Sequence, residues 1–147
     1  MKRTEATEII IETVLKSKIT YQQIADAVGR SLIWTTLALH GQATMDQIEA
    51  TKATEVLGLG DAICQCLQQF PENRGSIEMP PTDPTAYRFH ELIQIYGTTL
   101  KAVINEKFGD GIMSAIDFTM DIDKVENPNG DRIKITMEGK FLPYKKW

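Results

Sequence analysis

The chain has little of what metal, redox and covalent chemistry require. It holds two cysteines, Cys64 and Cys66, and two histidines, His40 and His90. The C-x-C spacing is neither a redox C-x-x-C nor half of a zinc site, and the histidines are far apart in sequence. No metal is expected, and the cysteines read as small hydrophobic thiols in or near a helix packing face. No apolar run approaches the roughly 18 residues of a membrane span. The first residues, Met1-Lys2-Arg3-Thr4-Glu5, are charged and lead into an amphipathic pattern with internal acids, not into a signal-peptide block. A cytoplasmic protein is expected. Aromatics are few, at 7%, and there is no excess of positive charge, the net being −4. Internal repeats and low-complexity segments are missing as well.

What is present is an ordinary globular composition, 42% hydrophobic and 24% charged, over 147 residues, enough for one domain or two small ones. Five helical segments can be drawn before residue 70. Thr4 to Lys16 carries Ile9, Ile10, Val14 and Leu15 at helical spacing. Thr20 caps a helix from Tyr21 to Val28, with Gln23 in the capping-box position and Gly29 at its end. Ser31 starts a third, through Leu39, stopped by Gly41. Thr44 with Gln47 forms a second capping box, leading a helix to about Leu57. Gly58-Leu59-Gly60 breaks the pattern, and Asp61 opens a last helix through about Gln69. Four of the six prolines then fall between Pro71 and Pro84. Proline removes a backbone donor and restricts its predecessor, so this stretch is an irregular connector. It divides the chain into a helical bundle, residues 1–76, and a second domain, residues 77–147.

In the second domain Asp83-Pro84 is a helix start, with an acceptor at the cap and proline in the first turn. The helix runs to about Phe108. One apolar stripe is Phe89, Leu92, Ile93, Tyr96, Leu100, Val103 and Ile104; a second, beside it, is Arg88, Glu91, Ile95, Thr98 and Ala102. So wide an apolar surface requires burial on more than one side, and another subunit is the natural cover. Ile116, Phe118, Met120 and Ile122 alternate with polar residues as in a half-buried strand. Asn127-Pro128-Asn129-Gly130 is a turn, and Ile133, Ile135 and Met137 form a second strand. Two strands alone are marginal, so the hairpin also calls for a partner. The fold class is α+β: an N-terminal helical bundle, then a long helix with a small antiparallel β dimerisation element.

Residues 20–41 resemble a helix-turn-helix of the phage-repressor type, with Ala25, Gly29 and Leu37 at positions that suit a tight helix crossing. A DNA-binding regulator is therefore the alternative reading. Its chemistry is poor. The second helix, Ser31 to Leu39, presents no Arg, Lys, Asn or Gln to base edges, and only Arg30 stands at its entrance. Phosphate neutralisation needs clustered positive charge, yet residues 1–84 hold seven Lys/Arg against eleven Asp/Glu. No nucleic-acid partner is expected.

Residues of chemical interest follow the connector. Arg88 and Glu91 are three apart and share a helix face. Arg88 lies in the second turn, near the positive end of the helix, where an anion is favoured. Phe108 to Ser114 reads as a glycine turn delivering a hydroxyl, with backbone amides accessible around it. An i,i+3 Arg–Glu pair is ordinarily a solvated surface pair worth under about 1 kcal/mol. No histidine nearby in sequence would activate Ser114, and no phosphate-loop pattern is present. The residues alone leave the site open between a catalytic and a merely surface role.

The segment 80–118 is similar to the cyanase (cyanate hydratase, cyanate lyase) family. The run Tyr-Gly-Thr-Thr-Leu-Lys-Ala (96–102), followed by Glu-Lys-Phe-Gly-Asp-Gly-Ile-Met-Ser-Ala-Ile (106–116), is long and specific, and Gly139-Lys140-Phe141-Leu142-Pro143 resembles the family's C-terminus. The first 70 residues are similar mainly in helical layout. One departure is His90, where an aromatic such as Tyr is the family's residue; it flanks the site and bears on local packing. The resemblance implies bicarbonate-dependent decomposition of cyanate to ammonia and carbon dioxide by way of carbamate. It places the family's catalytic arginine, glutamate and serine on Arg88, Glu91 and Ser114. It further implies a homodecamer of five dimers with sites where subunits meet. Bicarbonate is then a co-substrate, and no metal or organic cofactor is implied.

Overall fold

The computed structural model describes all 147 residues, and the fold class is α+β as the sequence patterns indicate. The chain forms two compact units, Met1–Ser76 and Ile77–Trp147. No helix is long and apolar enough to cross a membrane.

The first unit contains α1 (Arg3–Lys16), α2 (Tyr21–Val28), α3 (Leu32–Leu39), α4 (Gln47–Leu57) and α5 (Asp61–Leu67). Thr20 and Gln23 close the expected capping box on α2, and Gly29 ends that helix in the left-handed conformation at φ 82°. The core is built on Ile10, Ile24, Leu39, Met45 and Leu67, all fully buried. Cys64 and Cys66 are buried free thiols in that core.

Three local readings are corrected. The start of α4 is capped by Asp46, not Thr44, with Glu49 returning to the Asp46 amide at 2.8 Å. Two capping boxes overlap here, Thr44/Gln47 and Asp46/Glu49. The carboxylates prevail because charge-assisted bonds to amides at a positive helix end are stronger than neutral ones. Thr44 instead donates to the Gln69 carbonyl at 3.3 Å. Leu37 does not serve the α2–α3 crossing; it is exposed, and Thr35, Ala38 and Leu39 are the buried positions of α3. On α1 Leu15 is exposed, while Ile10 is buried and Ile9 and Val14 are partly so.

Arg3, which sequence patterning treats as part of a charged start, is 3% exposed. Its guanidinium donates to the carbonyls of Cys66 (2.6 Å), Ala38 (2.8 Å) and Ala43 (3.0 Å). Ala38 and Cys66 lie in the last turns of α3 and α5, whose final carbonyls have no partner within their own helices. One planar cation thus ties two helix ends and a loop. Burial lowers the Arg3 pKa from its ordinary value, with the neighbouring Cys66 opposing that shift. At the entrance of α3, Arg30 is held by the Glu49 carboxylate at 2.5 Å and lies 5.7 Å over the Trp34 ring. The one cation beside α3 is therefore engaged within the protein.

The second unit holds α6 (Pro84–Phe108), β1 (Gly111–Val125) and β2 (Arg132–Pro143). Asp83 caps α6 by accepting from the Ala86 amide at 2.9 Å. The strands form an antiparallel hairpin, closed by Asn127, whose carbonyl accepts from Gly130 and whose side chain accepts from Asn129. Phe108 at the end of α6 stacks on Phe141 of β2, with centroids 5.3 Å apart. No residue of α6 is buried within the chain. Phe89, Leu92, Ile93, Tyr96, Leu100 and Val103 are all more than a third exposed.

The Arg3 tether gives a direct expectation. Arg3→Leu removes three charge-assisted bonds and leaves the Ala43 carbonyl without a donor, while Ala38 and Cys66 keep those from Gly41 and Gln69, so the first unit should lose about 3 kcal/mol in urea unfolding. Arg3→Lys should not restore it, because an ammonium cannot span three carbonyls with a planar fork. Wild-type stability in either variant would show that the tether is dispensable.

Candidate active site

The cap at Asp83 and the proline at the first helical position set where α6 begins, and so place Arg88 in its second turn. Glu91 lies one turn further on. The Arg88 Nη1 donates to the Glu91 Oε2, so the pair expected from their spacing is made. The Arg88 side chain is 69% exposed and that of Glu91 39%. Such an exposure gives the pair little value for stability. Its significance is directional, since a carboxylate on one edge of the guanidinium leaves the remaining donors facing outward. Beside it, His90 Nε2 and Gln94 Nε2 are 3.0 Å apart, and the His90 ring lies 5.9 Å from that of Tyr87.

Ser114 has a different setting from the one expected. The turn after α6 is confined to Gly109 and Asp110, and β1 begins at Gly111, so Ser114 lies inside a strand. Pairing runs regularly from Gly111 to Met113 against Pro143 to Phe141 and resumes at Phe118 against Gly139. Residues 114–117 of β1 therefore face the single Lys140 of β2, a wide bulge. Within it Ser114 is 5% exposed. Its Oγ accepts from the amides of Asp117 (2.9 Å) and Ile116 (3.1 Å). Those two amides are turned onto the serine itself. The bulge also breaks the alternation read from the sequence: Phe118 and Met120 are half-buried, but Ile116 is 96% exposed.

Two amides on one hydroxyl oxygen occupy both of its lone pairs and leave one O–H to donate. That arrangement suits a hydrogen-bond donor to an anion. It does not suit a nucleophile, which needs a free lone pair and a base. Within the chain no hydrogen bond or ion pair joins Ser114 to Arg88 or Glu91. Sequence reading gave Gly139 no part in the site; only the paired register shows that it lies at the edge of the bulge, against Phe118.

A cation paired with a carboxylate and, apart from them in the chain, a hydroxyl free only to donate are each groups suited to meeting small anions. Comparison with known proteins makes the assignment specific. Residues 3–71 match the cyanate hydratase N-terminal family and residues 78–146 the cyanate lyase C-terminal domain family. The cyanate hydratase of Dechloromonas aromatica (strain RCB) is 48% identical over 145 residues, covering 99% of each chain. That of Synechococcus sp. (strain CC9311) is 55% identical over 130 residues, covering 88% of this chain and 86% of its own. A crystal structure of cyanase from T. urticae superposes with a TM-score of 0.80 at 38% identity, covering 94% of this chain and 96% of that one. The chain belongs to the cyanate hydratase family.

The Ser114 geometry can be tested without turnover. In Ser114→Ala the amides of Ile116 and Asp117 lose their acceptor, and their hydrogen-exchange protection should fall while that of Met120 to Ile122 is kept. Unchanged protection at 116 and 117 would mean that the hydroxyl does not hold the bulge.

Proposed function

We infer that this chain is a lyase that decomposes cyanate with bicarbonate as co-substrate, giving ammonia and carbon dioxide through carbamate. The observation that carries the reading is the Arg88–Glu91 pair on α6, in a chain that both family matches cover almost from end to end. Cyanate and bicarbonate are both anions and repel each other. A guanidinium, oriented by Glu91, supplies the fixed positive charge that lets them approach, with several in-plane donors. Glu91 cannot itself attract an anion, so its part is to orient Arg88. The Ser114 O–H donates to the second anion.

The reaction follows from proximity. A bicarbonate oxygen attacks the cyanate carbon, forming a C–O bond as the C≡N π electrons move to nitrogen. The bicarbonate proton ends on that nitrogen, giving a dianionic adduct. The adduct breaks its original bicarbonate C–O bond to release carbon dioxide, and with one proton from water leaves carbamate. Carbamate takes a second proton and separates into ammonia and a second carbon dioxide. Holding two small ions in contact can supply on the order of 7–11 kcal/mol. An enzyme with no activated nucleophile is therefore sufficient, and the scheme calls on no metal or organic cofactor.

The working form is proposed to be a homodecamer of five dimers in the cytoplasm, with sites at subunit boundaries. Support comes from the bare apolar surface of α6, from a two-stranded sheet with Ile116, Ile133 and Met137 exposed, and from the absence of any bond between Arg88 and Ser114 of one chain. Neighbouring subunits would cover these faces, exclude water and strengthen the fields of the charged groups. The number ten rests on resemblance to the family.

Arg88→Leu is expected to abolish ammonia release from cyanate with assembly intact by light scattering. Turnover close to wild type in that variant would remove Arg88 from the reaction. Ammonia release should also rise with added bicarbonate and disappear in bicarbonate-depleted buffer. An undiminished rate in depleted buffer would exclude the co-substrate.

A further inference from the structure

Gly139 stands in β2 at the edge of the bulge that carries Ser114. Its backbone is outside the left-handed region, so no positive φ requires glycine there. Space does. A Cβ built on Gly139 would lie 2.6 Å from the carbonyl oxygen of Ser114, and 2.5 Å from Cγ and 3.2 Å from Sδ of Met113. The Met113 contact is with a flexible, half-exposed side chain that can swing away. The Ser114 carbonyl cannot, because the hydroxyl of the same residue is fixed by the Ile116 and Asp117 amides. Regular pairing resumes at Gly139 itself, against Phe118. A methyl group at 139 would therefore be relieved chiefly by moving the bulge away from β2. Gly111, at the other end of the paired segment, is crowded most closely by the Leu142 carbonyl and the Phe141 ring instead.

We propose that Gly139 is a positioning residue of the active site: its missing side chain lets the β1 bulge seat against β2, and so sets where the Ser114 hydroxyl points. Gly139 touches no reacting atom and acts only through Ser114. The proposal rests on the reading of Ser114 as the hydroxyl that meets substrate.

The test compares kcat, and KM for cyanate and for bicarbonate, in the full-length assembled protein and in Gly139→Ala, Ser114→Ala, their double variant, Met113→Ala and Met113→Ala/Gly139→Ala. Assembly and Tm are measured alongside. A displacement near 1 Å of a group that must be oriented costs on the order of 10²-fold in rate, so Gly139→Ala should lose about that much in kcat while both KM values change far less. Adding Ser114→Ala should lower kcat no further, because the two changes remove the same interaction. Met113→Ala alone should turn over normally, and combined with Gly139→Ala should assemble but remain slow. Normal kcat in Gly139→Ala would overturn the proposal. So would losses that multiply in the double variant, or recovery on removing the Met113 side chain. Failure of both Gly139 variants to assemble would do the same, by making Gly139 a folding residue. Wild-type turnover by Ser114→Ala would sink the reading of the site and the proposal with it. Full activity in Gly139→Ala beside a crippled Ser114→Ala would sink the proposal alone.

Discussion

A 25-residue helix with no buried side chain cannot be at rest in water, and this constraint governs the second unit. Its apolar residues occupy more of the helix surface than one neighbour could cover. The hairpin offers little cover of its own, being two strands held to the helix end by the Phe108–Phe141 stack. The hydrophobic surface that would normally close a monomer's core is left bare within the chain. On the proposed reading, placing catalytic groups on such an element would tie activity to assembly, because Arg88 and Glu91 are only partly desolvated within one chain.

The same unit shows two ways of preparing a polar group. Arg88 is oriented by an ion pair one turn away and remains largely exposed. Ser114 is buried and wired to the backbone of its own bulge, so that its oxygen is committed and its proton is free. Charge and hydrogen bonding of this kind pre-organise a polar group, setting its orientation before any ligand arrives. Neither group needs a perturbed nucleophile or a neighbouring base. This agrees with the scarcity of histidine and cysteine in the chain.

The first unit solves a structural problem instead. Its helices are short, and short helices leave a large share of their carbonyls unpaired. Arg3 answers for two helix ends at once, and Asp46 and Glu49 reciprocally close another. Glu49 also holds Arg30. The helix that would read DNA in a repressor exposes Leu37, with Ile33 and Trp34 partly buried, instead of base-reading donors, and the cation at its entrance is already paired. The helix-turn-helix resemblance of residues 20–41 is thus not accompanied by base-reading chemistry on α3.

Much of the architecture was legible from sequence by itself. Glycines, prolines and capping residues are local signals, and they marked α2, α3, α6 and the hairpin turn with little error. The i,i+3 spacing of Arg88 and Glu91 was enough to place them on one face. Errors fell where two local signals competed, as at Thr44 and Asp46, or where the outcome depended on distant partners. Arg3 is buried because three carbonyls from α3, its following loop and α5 converge on it, and no pattern in the first five residues records that. Ser114 is buried and oriented by a bulge that exists only through pairing with β2, and Gly139 acquires its importance from the same register. Periodicity and caps are properties of a few consecutive residues, and the sequence states them directly. Convergence of groups far apart in the chain is a property of the folded backbone, and only the tertiary structure decided it.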